Sequence, residues 1–244
     1  MATRSPALDQ LRDFIRTTGG AYLRNVRWAP GLTCRTCGGI PSTGYDQCYQ
    51  CAGHAGSSGA ADTLGFVTYG WNGSQAGHVM YAYKAKGATT YELVSAVLAY
   101  AAVAHWGCIA RTSGSVPTAW TYVPSLSGRP GEHPLAGIAR RFMGSVPYTR
   151  LQANPVSDGP RSYNPDHYRA DPVKGHVLLL DDTWTSGGHL QSAAAALKTA
   201  GAHRVTGLVM ARWLDPTWAG TKQLIDTLTD DFDPAICPYT GAYC

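Results

Sequence analysis

The chain has 244 residues, 44% of them apolar and 15% charged, with a formal net charge of +4. That composition supports a substantial core and excludes a disordered, highly charged polymer, while 28 Gly and 15 Pro point to buried elements joined by many turns. Glutamate occurs only at Glu92 and Glu132, so the HExxH string of zinc peptidases and the HxE string of zinc deaminases are both absent.

In chain order, the N-terminal segment 1–20 alternates charge with apolar groups and lacks the apolar core of a secretory signal. The longest apolar stretch, 93–104, is interrupted by Ser95 and Tyr100 and falls short of the roughly 20 residues of a membrane span. These features predict a cytoplasmic protein without membrane insertion, in a reducing compartment that disfavours disulfides. Leu8, Leu11 and Ile15 stand at helical spacing and predict a short amphipathic helix over 6–16. From Pro30 to Gly59 the chain is rich in Gly, Cys, Ser and Pro and poor in aliphatic residues, so it needs a staple to fold.

Ordinary globular patterning resumes at Leu64 with the apolar run LGFVTYG, then a segment at 77–86 that ends in Lys84 and Lys86. A helix is expected from about Thr90 to His105, capped by Thr89 or Thr90. The second half reads as alternating strand and helix: strands over 119–125 and 148–154, and a helix over 133–144. The run HVLLLDD (176–182) has no polar alternation in its apolar part, which predicts a strand covered on both faces, as in a parallel sheet. A helix over 187–201 and a strand over 204–212 complete a βαβ crossover. Residues 154–174 hold four prolines and no periodicity, and read as a long binding loop or lid.

Two constellations carry chemistry. Cys34, Cys37, Cys48 and Cys51 form two CxxC knuckles ten residues apart, the spacing of a closed tetrahedral site for structural zinc. Zinc binding would fold a segment otherwise too poor in apolar residues. His54 reads as a surface histidine beside this set. The second constellation is the strand end Asp181–Asp182 followed by Thr183, Thr185, Ser186, Gly187, Gly188 and His189 at the start of a helix. Hydroxyls, close-approaching glycines and a helix N-terminus suit a phosphate monoester, and two adjacent carboxylates suit sugar hydroxyls or a hard cation. A phosphorylated ribose satisfies both halves.

The string HVLLLDDTWTSGG resembles the phosphoribosyl pyrophosphate signature of type I phosphoribosyltransferases. That resemblance implies that Asp181 and Asp182 hold the ribose hydroxyls and that Thr185, Ser186, Gly187 and Gly188 hold the 5-phosphate. His189 stands where many members have Thr, and Trp184 is bulkier than the usual aliphatic residue. With the four-cysteine knuckle ahead of it, the chain resembles the ComF family of competence-associated phosphoribosyltransferase-like proteins over most of its length. The resemblance implies an α/β fold with a mostly parallel sheet of the type I phosphoribosyltransferase kind, with an N-terminal helix and four-cysteine zinc module over 1–60 before a phosphoribosyltransferase-like domain over 61–244. It further implies that Lys84, in YKAKG, and Arg129, in VPSLSGRPGEHP, contact phosphate or diphosphate, and that Arg161 and Arg169 lie in a hood loop closing over it. The family's Gly-Phe-Asn-Gln after the arginine is replaced here by Pro130, Gly131, Glu132 and His133. Magnesium would accompany phosphoribosyl pyrophosphate, and a nitrogen acceptor would displace the diphosphate.

A second reading is a non-catalytic protein that binds single-stranded DNA or DNA-uptake proteins through the zinc module, under control of a phosphoribosyl ligand. Six arginines against three aspartates in residues 1–50 give that end a basic excess. The acceptor and the oligomeric state are left open. Cys108 reads as a buried core thiol, and a second metal site at Cys237 and Cys244 would need partners such as His203 or Cys108. The tail CPYTGAYC is instead expected to pack back on the body, near the finger.

Overall fold

The computed structural model describes residues 5–85, 87–126, 131–154 and 162–244. The chain runs through α1 (Pro6–Thr18), α2 (Tyr49–Ala55), β1 (Thr63–Trp71), α3 (Gln75–Ala82), α4 (Thr89–Ala104), α5 (Trp106–Ser113), β2 (Ala119–Tyr122), α6 (Pro134–Arg140) and β3 (Leu151–Ala153). A 3-10 turn (Pro165–His167) leads into β4 (Tyr168–Ala170), and β5 (Gly175–Trp184), α7 (Gly188–Thr199), β6 (Ala202–Leu214) and α8 (Ala219–Asp226) follow. Four strands form a parallel sheet in the order β1-β6-β5-β2, so the fold is mixed α/β with a cysteine cluster near its N-terminus.

The expected crossover is present: β5 and β6 are neighbours in parallel register, Val177 beside Val205 and Leu180 beside Leu208, with α7 between them in sequence. Successive strand residues point to opposite faces. Leu178, Leu180, Leu208 and Met210 therefore join the core with α4 and α6, whereas Val177, Leu179, Val205 and Val209 join α7, α8 and the cysteine module. That double burial explains the unbroken apolar run in β5. α4 meets the same logic as a helix, with Leu93, Val94, Val97, Leu98 and Ala101 all buried. Among the described residues no single helix is long and apolar enough to cross a membrane.

Two expectations need correction. α4 begins at Thr89 and its N-cap is Ala88, which has no hydroxyl, so neither threonine caps it. Part of 154–174 is ordered structure: β4 pairs antiparallel with β3, and the Asn164 N–H donates to Ser192 Oγ of α7 at 2.9 Å. Strands of three residues are too short to show a period of two. The tail packs back on the body. It lies along the edge of β1, where the Phe66 N–H donates to the Pro238 carbonyl at 2.9 Å, and the Tyr69 N–H to the Arg24 carbonyl at 2.8 Å. Together these segments cover an otherwise open sheet edge.

Candidate functional site

The site lies at the C-terminal end of β5, where an open parallel sheet presents helix N-termini and strand ends to a ligand. Asp181 and Asp182 are adjacent on the strand and so straddle it. Asp182 faces the end of α3 and the start of α6. Its Oδ2 accepts from the Tyr83 hydroxyl at 2.8 Å, pairs with Lys84 Nζ at 3.1 Å and lies 3.7 Å from His133 Nε2. Burial raises its pKa, but Lys84, then His133 and the Tyr83 hydroxyl, outweigh that and hold the carboxyl below its ordinary range. Asp181 is buried, and burial followed by the Asp182 charge pushes its carboxyl well above the ordinary range. Asp182 is therefore the more acidic member of the pair and Asp181 the less acidic.

After Trp184 the chain turns sharply at Thr185, Ser186 and Gly187 before α7. Gly187 is the N-cap of α7 with φ +89°, and a Cβ there would run into the Trp184 indole. Only glycine fits both demands. The indole is itself buried, edge-on to Phe66 at 5.3 Å, so the loop rests on a rigid floor. Gly188 and His189 open the first turn of α7 directly after this loop.

The cysteine module packs against this loop. Cys34, Cys37, Cys48 and Cys51 place their four sulfurs within 4.8 Å of one another, with Cys37 and Cys48 at 3.9 Å. The Cys48 N–H donates to Cys34 Sγ at 3.3 Å, the amide contact of a metal knuckle. Hydrogen bonds from Cys37, then Cys48 and Cys51, hold the Cys34 thiol far below its ordinary range, and contact with Cys34 pushes Cys48 and Cys51 far above theirs. So many sulfurs cannot ionise together without a cation, and four soft donors in a closed set fit tetrahedral zinc.

Two residues join module and loop. His54 is buried, and its Nε2 lies 3.2 Å from the Ser186 carbonyl oxygen, with the ring edge-on to Trp184. It is therefore not the surface histidine that the sequence suggested. Arg212, buried on β6, interacts with Cys37 and donates to the carbonyls of Trp184 and Thr185 at 3.3 Å each. Beside these groups a cavity of about 510 Å³ opens between the module and the ends of β5 and β6, lined by Tyr49, Thr185, Ser186, Trp213 and Trp218 among others.

Lys84 thus meets a carboxylate in this structure. Thr183, Thr185, Ser186, Gly187, Gly188 and His189 fall on the strand end, loop and helix start. Arg129 and Arg161 lie outside the described residues, and Arg169 is exposed on β4, 3.4 Å from Gln152 Oε1. Sequence reasoning missed Tyr83, His133, His54 and Arg212. The one local signal was their company: Tyr83 precedes Lys84, His133 precedes the proline that opens α6, and His54 follows a CxxC knuckle by three residues. A scan of the chain against protein-family models and a search of curated proteins each return no match.

Proposed function

We propose that the protein binds magnesium phosphoribosyl pyrophosphate at the end of β5 and transfers the phosphoribosyl group to a nitrogen acceptor, as its resemblance to ComF-type phosphoribosyltransferases implies. The observation that carries this reading is that the strand end bearing Asp181 and Asp182 runs directly into the glycine turn and N-terminus of α7. The pair suits the 2- and 3-hydroxyls of the ribose, and the turn suits its 5-phosphate. The carboxylates are hard oxygen donors compatible with Mg²⁺, which when bound with the donor supplies charge neutralisation to the leaving diphosphate. Lys84 stands ready to exchange its carboxylate partner for a donor oxygen. In the reaction the C1–O bond to diphosphate breaks as a C1–N bond forms, and the acceptor loses its proton to solvent. The aromatic cavity beside Ser186 is the acceptor's place in this scheme.

Titration calorimetry with phosphoribosyl pyrophosphate and Mg²⁺, paired with a diphosphate release assay over candidate bases and ammonia, tests it. Asp181→Asn and Asp182→Asn should each weaken donor binding by about tenfold or more, the loss of a charged hydrogen bond. Absence of donor binding to the unaltered chain would sink the reading.

The second reading, single-stranded DNA or a protein partner on the zinc module, draws on the exposed rings of Tyr45 and Tyr49 as stacking surfaces. Its electrostatic support is thinner, because Arg12, Arg27 and Arg35 are paired with Asp9, Asp230 and Asp46. Fluorescence anisotropy with labelled oligonucleotides separates the two readings.

A further inference from the structure

His105 sits at the corner between α4 and α5, where the two helices meet at a 53° bend, and Cys108 lies one turn on. Cys237 and Cys244 come from the tail, more than a hundred residues away. The donor atoms of all four lie within 4.8 Å of one another, and His105, Cys108 and Cys237 are buried. We propose that these residues form a second metal site, a Cys3His tetrahedron for zinc that staples the tail to the body.

Four features support it. The first is the histidine: its Nε2 lies 3.0 Å from the Pro234 carbonyl, so Nε2 carries the proton and Nδ1 presents its lone pair. Nδ1 faces Cys244 Sγ at 3.2 Å and Cys108 Sγ at 3.9 Å. A zinc-bound histidine characteristically donates its other ring N–H to a carbonyl or carboxylate in this way. The second is the tail's own turn. The Cys237 N–H donates to the Ala242 carbonyl and the Gly241 N–H to the Cys237 carbonyl, and Gly241 holds φ +69° against the Trp28 ring, which returns Cys244 toward Cys237. The third is charge. Three thiolates and Zn²⁺ sum to one negative charge, and Arg111 Nη2 donates to Cys108 Sγ at 2.9 Å. Arg212 stands in the same relation to the N-terminal cluster.

The fourth feature separates metal from disulfide. The sulfurs of Cys108 and Cys244 approach to bonding range, but their Cα atoms are 7.0 Å apart, beyond the usual disulfide limit of about 6.8 Å. A disulfide would also leave Cys237 and the oriented His105 without a task. Around zinc the same sulfurs stand about 3.8 Å apart, the edge of a tetrahedron with bonds of about 2.3 Å. Binding forms three Zn–S bonds and one Zn–N bond and releases three thiol protons, with no change of oxidation state. The site then pins the strip that covers β1, including Pro238 and the half-buried Tyr239 ring over Gly65.

The test uses the full chain purified with a phosphine reductant. Elemental analysis should find two zinc ions per chain, falling to one in the Cys237→Ser/Cys244→Ser variant, while Cys34→Ser/Cys37→Ser should retain the C-terminal ion. X-ray absorption on the unaltered protein requires no variant to fold, and should show seven sulfurs and one nitrogen shared between two ions. One zinc per reduced, folded chain, bound by sulfur alone, would overturn the proposal. So would peptide mapping that finds Cys108 joined to Cys244 in protein purified without reductant or oxidant.

Discussion

Nε2 of His54 lies 3.2 Å from the carbonyl oxygen of Ser186, a contact spanning 132 positions of sequence that ties the helix of the cysteine module to the turn before α7. The module is therefore a wall of the candidate site. Cys51 and His54 lie on the same helix, one turn apart.

His54→Ala removes the hydrogen bond to Ser186 and opens space beside Trp184. A buried hydrogen bond is worth about 1 kcal/mol net, so donor affinity should fall about fivefold in calorimetry with the zinc content unchanged. His54→Gln, which can still donate an N–H, should recover part of the loss. An unchanged affinity in His54→Ala would mean that the turn holds its shape without the module.

Gly187→Ala places a side chain at φ +89° and pushes its Cβ into the Trp184 ring. The left-handed backbone alone costs roughly 1–2 kcal/mol, and displacing a buried indole adds to it. Urea denaturation should show a loss of at least that size, and donor binding should disappear with it. A variant of normal stability would show that the turn relaxes freely.

Arg212→Met deletes the cation that faces Cys37 and holds the carbonyls of Trp184 and Thr185. Removing one partner of a buried charge pair costs about 3–5 kcal/mol. Chelator challenge should also strip zinc from the N-terminal site faster than from the unaltered chain. Chelation of that zinc under reducing conditions should itself weaken donor binding, although Asp181 and Asp182 are untouched.

Stability should fall with acidification below about pH 6.5, the ordinary histidine pKa. Burial lowers the pKa of both His54 and His176. His176 is enclosed by Ser115 on Nδ1 and Thr206 on Nε2. Each ring is neutral in the fold and protonates more readily in the unfolded chain, so the unfolded state takes up more protons as pH drops through this window. Denaturation midpoints at pH 7.5 and 5.5 should differ in that sense, and His176→Asn should shrink the difference. A rise in stability on acidification would contradict the assignment.

Local patterns in the sequence determined much of this protein. Four cysteines at knuckle spacing need only a short loop to meet, and an apolar run that ends in two acids and a glycine turn specifies strand, turn and helix by itself. Both are contiguous, so both are legible without a fold. Tertiary structure alone decided what surrounds them. Tyr83 reaches Asp182 across 99 residues, and His105 reaches Cys244 across 139. No periodicity encodes such pairings, because they arise only when the sheet brings α3, α6 and the tail to their places. Four short helices, α2, α3, α5 and α8, escaped notice for a related reason: with seven or eight residues each, they take their stability from packing. Even composition is sharpened by this. Among the seven cysteines, the odd thiol at Cys108 and the pair in the tail belong to one cluster with His105, and only the bend between α4 and α5 brings that histidine and Cys108 to face the tail.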